Sequence, residues 1–320
     1  IHKFIRAAVL FWVMANIIRD RGDIQAVLNG LVGALVWQGT VVLWNKYVTQ
    51  NVVNRVVGSF NHPNALTMYL NLVLPVVWAC FMEKALSRRA MRWALPAVGL
   101  AFVSVLFTKS RAGIVLMPTT LFATTGLSIL LRPTKHKVGV ALVGVLAGAV
   151  LMSAAMPTII RRFERAPKES AETRHYFNDA AKAMARERLF GCGINQYSWS
   201  LDNTDYYWYM YPEALNLKDP EEFRESDNGR SRLGTVHHIY YLFMGETGRP
   251  GLIAYVLFLG MIYIKTLATL VRARDGLTRA IACGLTTSFA LVYVHGLLEW
   301  VWRQTQTMYM YFILAGLLVL

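Results

Sequence analysis

Cysteine and acidic side chains are the scarce residues of this chain. It has three cysteines in 320 residues, and two of them, Cys80 and Cys283, lie within long apolar runs. An odd number with this placement predicts neither a disulfide framework nor a cysteine metal site. Asp and Glu number 19 against 33 Lys and Arg, so the formal net charge is +14. A charge this basic raises the question of a nucleic-acid partner.

The distribution of the charge argues against that partner. Residues 160–236 hold 12 basic and 13 acidic side chains, so the basic excess belongs to the rest of the chain. There it lies in short loops between apolar runs, which is the positive-inside pattern of a membrane protein. We therefore expect contacts with membrane lipids and no nucleic-acid partner.

The chain also lacks the motifs of several enzyme classes. It contains no Walker-type loop, no G-x-S-x-G elbow and no zinc-binding spacing. Such motifs bring phosphate-binding amides, a serine nucleophile or a metal to a reaction. An enzyme with this sequence is therefore expected to work with cations and a base, and without a metal or another cofactor.

Long apolar runs are what the chain has in abundance, since 55% of its residues are hydrophobic. Several runs reach the roughly 20 residues that a helix needs to cross the hydrocarbon core. We predict helices at 4–18, 23–46, 64–83, 91–108, 112–132, 137–159, 251–271, 277–299 and 305–320. The chain opens on IHKFIRAAVLFWVMANIIRDRGD, which is typical of the end of a span, and we expect further N-terminal spans to be missing from it.

Basic loops orient the predicted helices. The loops 84–92, 132–137 and 265–279 are rich in Lys and Arg, which places them on the cytoplasmic face. Alternation of spans then brings five polar features to the opposite face: the turns 58–65 and 108–113, the segment 160–236, the pair His237–His238, and 299–307. We accordingly divide the chain into transmembrane helices with two turns (1–159), a partly helical loop domain (160–236), and a catalytic helix start followed by C-terminal spans (237–320).

The loop domain has a helical part and an aromatic part. Phe177, Ala181 and Met184 share one face of a predicted helix that ends at Gly191-Cys192-Gly193. The run Tyr206–Tyr211 suits stacking on sugar rings, but aromatic side chains also pack at membrane interfaces, and we favour interfacial packing.

The histidine pair is the first candidate for chemistry. A neutral imidazole takes a proton from a hydroxyl as a general base, whereas a histidine at a helix start also serves simply as a backbone hydrogen-bond partner. His62, in the turn 58–65, has the same two interpretations, and a satisfied turn residue is the simpler one. Glu246 and the glycines Gly248 and Gly251 are explained equally well as helix punctuation.

Arginines on the same face are the second candidate. Arg111, beside Lys109 and Ser110, is a basic residue on the face where the positive-inside rule predicts few. We therefore give equal weight to two interpretations, binding of an anion and snorkelling of the side chain to lipid headgroups. Arg174 near the start of the loop helix, and Arg186 further on, are loop cations. For both of them a solvated surface position is the simpler interpretation.

Four pieces of the chain, in order, resemble the O-antigen ligase superfamily. They are GSFNHPNALTMYL, KSRAG, TRHYFNDAAKAMARERLFGCGINQY and HHIYYLFMGETGRPG, and together they cover most of residues 58–251. The last resembles the pattern H-[NSQ]-x9-G-x-x-G, although His238 stands where the superfamily has Asn, Ser or Gln. Arg188 likewise stands where a proline often precedes L-F-G. The superfamily includes O-antigen ligases, O-antigen polymerases and bacterial protein O-oligosaccharyltransferases.

The resemblance implies a fold and a location. The expected fold is an all-α polytopic membrane protein, a GT-C-like multi-helix bundle with one large extracytoplasmic (periplasmic) loop domain. Its expected place is the bacterial inner membrane, crossed several times, with the active site facing the periplasm.

The resemblance also implies a reaction, in which a glycan moves from undecaprenyl pyrophosphate to an acceptor hydroxyl with inversion and without a metal. His237 would be the general base, and Arg111 and Arg174 would bind the pyrophosphate. The expected substrate-binding side chains are His238, Lys109, Ser110, Arg186, His62 and Glu246. We favour a ligase whose acceptor is the lipid A–core oligosaccharide, with a polymerase and a protein O-oligosaccharyltransferase as alternatives.

A transporter or flippase of lipid-linked glycans is the competing class of protein. Such a protein should carry ionisable residues at mid-membrane depth or broken helices in corresponding halves. The candidate residues here gather at one face, which favours an interfacial enzyme.

Overall fold

The computed structural model describes residues 2–49, 55–164, 169–204, 206 and 234–319. Within these ranges the chain forms α-helices and short 3-10 helices, and no strand. The helices are α1 His2–Ile17, α2 Arg21–Tyr47, α3 Pro63–Met82, α4 Arg88–Thr108, α5 Arg111–Leu131, α6 Lys135–Glu164, α7 Glu169–Glu187, α8 Tyr197–Asn203, α9 Ile239–Arg272, α10 Gly276–His295 and α11 Thr305–Gly316.

The prediction of an all-α polytopic membrane protein is confirmed. A helix is present at each of the nine predicted ranges, and within the part of the chain that the structure describes six helices are long and apolar enough to cross a membrane: α2, α3, α4, α5, α9 and α10. The other three predicted spans are the helices α1, α6 and α11.

Several helix bounds differ from the prediction by four or five residues, for example at the end of α6 (Glu164 against 159) and of α11 (Gly316 against 320), and two differences concern the histidine region. The range Ile239–Arg272 consists of two helical segments joined at a kink, where Gly248 has a non-helical φ of 70° and ψ of −173°, and the predicted helix 251–271 lies in the second segment. The predicted helix 277–299 ends at His295, so residues 296–300 form a loop that precedes the 3-10 helix Val301–Arg303. Glu299 therefore lies in a loop.

The chain divides into two compact units. Unit 1 comprises Ile1–Arg165, Ile262–His295 and Val301–Leu320, and unit 2 comprises Ala166–Met261 and Gly296–Trp300. Each unit is described by itself below, for the residues that the structure describes.

Helix α3 forms the centre of unit 1, where every one of its residues is buried. Helices α4, α5, α10 and α11 pack around it. At Gly284 of α10 an added Cβ would lie 2.5 Å from the Cα of Val76, so only glycine allows this approach to α3. Ser288 then donates a hydrogen bond to the carbonyl of Leu72 at 2.6 Å.

Ion pairs in unit 1 join loops that the charge pattern places on one face. The ammonium of Lys137, at the start of α6, contacts the carboxylate of Glu83 at the end of α3, and both side chains are buried. Arg21, the first residue of α2, lies 3.7 Å from Asp275, which precedes α10. These contacts agree with the alternation of spans that the sequence predicts.

Candidate functional site

The predicted site residues fall into two groups, one in each unit. Unit 1 holds His62, Lys109, Ser110 and Arg111, which belong to the turns 58–65 and 108–113. Unit 2 holds the others: Arg174, Arg186, His237, His238 and Glu246.

Arg55 joins the two turns of unit 1. Its Nε donates a hydrogen bond to the carbonyl of Thr108 at 2.9 Å, and its Nη2 donates to Oδ1 of Asn64 at 2.7 Å. The backbone of Val56 donates to the carbonyl of Phe107 at 3.1 Å. Arg55 is not among the site residues that the sequence predicts. The sequence did contain a signal for this residue. Arg55 lies close to the turn 58–65, on the face where the positive-inside rule predicts few basic residues.

Two predicted binding residues have structural roles in the second turn. Lys109 adopts a left-handed conformation with φ of 50° and ends α4. Ser110 is the N-cap of α5, because its hydroxyl accepts a hydrogen bond from the backbone of Gly113 at 3.4 Å. Satisfying free backbone amides in this way is a common use of serine at a helix start.

Arg111 is the predicted cation that this turn presents. It is the first residue of α5 and is partly exposed. Among the described residues, none accepts a hydrogen bond from its guanidinium, so its donors are available to an anion. A guanidinium binds phosphate oxygens in a bidentate manner, and the N-terminus of α5 adds favourable dipole.

His62 caps α3. Its Nδ1 accepts a hydrogen bond from the backbone of Asn64 at 3.2 Å, which uses one ring nitrogen. This contact favours the simpler of the two interpretations of His62, that of a satisfied turn histidine.

In unit 2, His237 forms a hydrogen bond with Glu299. The distance from its Nδ1 to Oε2 of Glu299 is 3.0 Å, and the Glu299 side chain is 4% exposed. A carboxylate beside Nδ1 favours the tautomer with the proton on Nδ1, which leaves the lone pair of Nε2 to accept a proton. Among the described residues, none forms a hydrogen bond with Nε2. The ring is 30% exposed, so a substrate hydroxyl has access to it.

Arg174 contacts the same carboxylate from the other side. Its Nη2 lies 3.4 Å from Oε1 of Glu299, and its Nη1 donates to the carbonyl of Leu298 at 3.3 Å. The helix α7 begins at Glu169, so Arg174 lies in its second turn, further from the helix N-terminus than predicted. The structure thus assembles two predicted site residues, Arg174 and His237, on one buried carboxylate.

Glu299 was not predicted as a site residue. Its sequence signal was the polar stretch 299–307, which the topology places on the same face as the histidines. That signal identifies no single side chain, because a contact between residues 237 and 299 leaves no periodic pattern in the sequence.

His238 has a different role from its neighbour. Its Nδ1 accepts a hydrogen bond from the backbone of Tyr241 at 3.4 Å, and its ring stacks on that of Tyr241 with 4.2 Å between centroids. His238 therefore acts as the N-cap of α9. Asn and Ser are also good N-cap residues, so either of them could cap the helix at this position.

Burial lowers the pKa of His238 below its ordinary value of 6.5, and the nearby Lys182 lowers it further, against a backbone hydrogen bond that raises it. The folded protein therefore favours the neutral ring. Above pH 6.5 the ring is neutral in both the folded and the unfolded chain, so its titration does not lower the free energy of unfolding. As the pH falls from 6.5 towards the folded pKa, the unfolded chain binds the proton more readily, and the free energy of unfolding decreases.

We predict that His238→Asn keeps the cap and removes this acid sensitivity. The thermal midpoint in detergent should match the original protein at about pH 8 and exceed it increasingly towards about pH 5. His238→Ala, which loses both the cap and the titrating ring, should be less stable than His238→Asn by about 1 kcal/mol at every pH. Equal acid sensitivity in the Asn variant and the original protein would show that His238 does not cause it.

The kink in α9 creates a binding surface for the loop that follows α7. Gly248 has a φ of 70° within α9, and Pro250 has no N–H, so the carbonyls of Gly245 and Glu246 lack their usual helical donors. The backbone N–H groups of Cys192 and Gly193 donate to these carbonyls at 2.9 and 2.8 Å. The L-F-G-x-G piece is therefore held by main-chain hydrogen bonds to the kink.

We predict that Gly248→Ala disrupts this arrangement. An added Cβ would lie 1.8 Å from the carbonyl oxygen of Leu189, and alanine is strained at this φ. The variant should lose more than about 2 kcal/mol of stability, measured as a lower thermal midpoint. Gly260→Ala is the matched control, because its Cβ would meet nothing within 4 Å. Similar midpoints for the two variants would contradict the structural role of the kink.

The remaining predicted residues of unit 2 lie apart from the Glu299 contacts described above. Glu246 is buried, and its Oε1 accepts a hydrogen bond from the backbone of Tyr197 at 3.4 Å, so it stabilises the start of α8. Arg186 is exposed on α7. The predicted apolar face of α7 is confirmed, since Phe177, Ala181 and Met184 are all buried.

Of the predicted aromatic run, Tyr206 is described and Tyr207–Tyr211 lie outside the described residues. Tyr206 is buried, and its hydroxyl donates to Oε2 of Glu187 at 2.5 Å. It therefore packs near the end of α7.

A family model described as O-antigen ligase matches residues 96–256, which is half of the chain. The matched range contains Arg111, Arg174 and His237. The turn 58–65 and Glu299 lie outside it. The chain matches none of the curated proteins with which it was compared.

Proposed function

We propose that this chain, which belongs to the O-antigen ligase family, transfers a glycan from undecaprenyl pyrophosphate to the lipid A–core oligosaccharide. The family is one of glycosyltransferase-like membrane enzymes that act on lipid-linked glycans. The observation that carries the proposal is the contact of His237 with the buried carboxylate of Glu299.

His237 is the general base of the proposed reaction. Glu299 holds the Nδ1 proton, so Nε2 accepts the proton of the acceptor hydroxyl while its oxygen attacks the anomeric carbon. The bond from that carbon to the pyrophosphate oxygen breaks, and undecaprenyl pyrophosphate leaves with the electron pair. Attack opposite the leaving group inverts the anomeric configuration in a single displacement.

Cations stabilise the leaving group in this proposal. Pyrophosphate leaves as an anion that needs no proton, so fixed positive charge lowers the barrier without an acid or a metal. The guanidinium of Arg174 has five N–H donors and uses two on Leu298 and Glu299, which leaves donors for phosphate oxygens. Arg111 is assigned the same task, because its donors are available and the superfamily pattern has an arginine there.

We predict that Arg111→Ala slows transfer by about 10²-fold, the usual effect of removing one transition-state donor. Arg111→Lys should restore little, because an ammonium does not reproduce the bidentate contact. The matched control is Lys109→Ala, which removes the neighbouring cation of the same turn and should change the rate far less. Equal rates in the Arg111→Ala variant and the original protein would exclude this role.

The proposed location is the bacterial inner membrane, with the reacting side chains on the periplasmic face. Six helices that are long and apolar enough to span a membrane support the multi-pass topology. The distribution of basic loops supports the orientation.

The identity of the acceptor is tested with the purified full chain and an undecaprenyl pyrophosphate-linked glycan as the donor. Lipid A–core, a second lipid-linked glycan and a protein acceptor are offered separately. We expect a covalent product on lipid A–core. Product only on the second glycan would indicate a polymerase, and product only on protein would indicate a protein O-oligosaccharyltransferase. Movement of the donor across vesicles without any product would indicate a flippase.

A further inference from the structure

Unit 1 contains a cavity that the proposed reaction does not use. It has a volume of about 760 Å³ and is lined by residues of α4, α5 and α6, with Trp78 and Phe81 of α3. Almost all of the lining side chains are apolar. A cavity of this size is typical of sites that hold a small ligand.

Glycines give the cavity its depth. Gly139, Gly144 and Gly148 line it from α6, and Gly99 lines it from α4. A Cβ added at any of these four positions would meet nothing within 4 Å, so the space above them is not filled by protein. Beside them, Leu142 and Leu146 of the same helix are more than 60% exposed, as expected for a surface in contact with lipid.

The cavity is long. Its lining residues on α6 run from Lys135 to Met152, which corresponds to roughly 25 Å along the helix axis. An elongated apolar space of this length fits an extended hydrocarbon chain, whereas a sugar or a nucleotide would leave most of it empty and would lack polar partners.

One end of the cavity is polar and basic. Lys135 is exposed there, and Nε2 of His136 is buried without a hydrogen-bond partner among the described residues. Both residues lie in the first turn of α6, where the helix dipole favours an anion. Lys137 takes no part, because its ammonium is bound to Glu83.

We infer that this cavity binds an anionic phospholipid of the surrounding membrane. Its phosphate contacts the ammonium of Lys135, and one acyl chain lies along the glycines of α6. The complementarity of charge at one end and the apolar length of the remainder identify the ligand class. The charge pattern places this end on the cytoplasmic face, the face opposite the proposed reaction, so the inference does not depend on the proposed function.

The test uses native mass spectrometry of the delipidated full chain in detergent, with phosphatidylglycerol or phosphatidylcholine added. We expect the original protein to bind phosphatidylglycerol about fivefold more tightly than phosphatidylcholine, since one Lys near a lipid surface has about that effect. Lys135→Gln should abolish this preference, and it should weaken phosphatidylcholine binding far less than phosphatidylglycerol binding, because the choline ammonium offsets the charge of the phosphate. This surface substitution is not expected to affect folding.

Gly144→Leu tests the position of the acyl chain, because a Cβ added there meets nothing within 4 Å and the rest of the leucine would extend into the cavity. It should reduce binding of both lipids, by about tenfold for phosphatidylglycerol. Gly126→Leu is the matched control, because its Cβ also meets nothing within 4 Å but Gly126 does not line the cavity. Leucine favours helix over glycine, so both variants should fold.

Three results would overturn the inference. The first is equal binding of the two lipids by the original protein. The second is unchanged lipid binding in Gly144→Leu. The third is a dimer of the delipidated chain that Gly144→Leu abolishes, which would identify a second copy of the chain as the occupant.

Discussion

Replacing His237 with asparagine is expected to reduce glycan transfer by about 10²–10⁴-fold, the usual contribution of a general base. The asparagine amide has an N–H that reaches towards Glu299, so the buried carboxylate keeps a partner. It has no lone pair that accepts a proton near neutral pH. The loss should therefore appear in kcat, with little change in KM for the donor.

The neighbouring histidine provides the matched control for this prediction. His238→Asn keeps the helix cap and should transfer glycan at close to the original rate, because its Nδ1 contacts only the backbone of Tyr241 among the hydrogen bonds described. Single-turnover transfer by the two variants, measured side by side, separates the roles. A loss in His238→Asn with none in His237→Asn would move the base by one residue.

Replacing Glu299 with glutamine is expected to slow transfer by about 10²–10³-fold. The carboxylate now orients the ring of His237 and carries the negative charge that stabilises the imidazolium formed during the reaction. Glutamine keeps the size of the side chain but removes that charge and can present its amide N–H to Nδ1. The ring is then free to adopt the tautomer that blocks Nε2 with a proton.

The effect of Glu299→Gln should again lie in kcat, measured with saturating donor and acceptor. Asp179→Asn is the control, since Asp179 forms an ion pair with Lys182 at 2.8 Å on the exposed side of α7 in the same unit. That pair is solvent-exposed and should contribute little. If the two variants had similar rates, Glu299 would have no part in the chemistry.

The arrangement of helices was predictable from the sequence because it depends on local patterns. Apolar runs of spanning length predicted the nine helices outside the loop domain, and the basic loops predict how these helices are oriented. The ion pair between Lys137 and Glu83 and the hydrogen bonds of Arg55 join loops that alternation had placed on common faces.

The kink and the buried carboxylate were not predictable in the same way. Gly248 and Pro250 have the composition of a helix stop, and the first helical segment does end at the kink, but the hydrogen bonds that its last carbonyls accept from the backbone of residues 192–193 leave no signal in the sequence. In the sequence Glu299 follows an apolar run, so it resembles an ordinary polar residue at the end of a membrane span. Its role depends on contacts with Arg174 and His237, which lie 125 and 62 residues away in the sequence.

The roles of the two adjacent histidines also needed the structure. The superfamily pattern selects His237 over His238, but it gives no reason for Asn, Ser or Gln at the second position. In this chain the hydrogen bond from Tyr241 shows that the second residue caps α9, a contact that Asn, Ser or Gln could also accept.

The central claim is that His237 takes the acceptor proton during transfer from the lipid-linked donor. Its most direct test is the single-turnover rate of His237→Ala, with and without added imidazole. The proposed mechanism predicts a rate lowered by at least about 10²-fold that rises with imidazole concentration, while the original protein does not respond. An undiminished rate in His237→Ala without imidazole would contradict the claim.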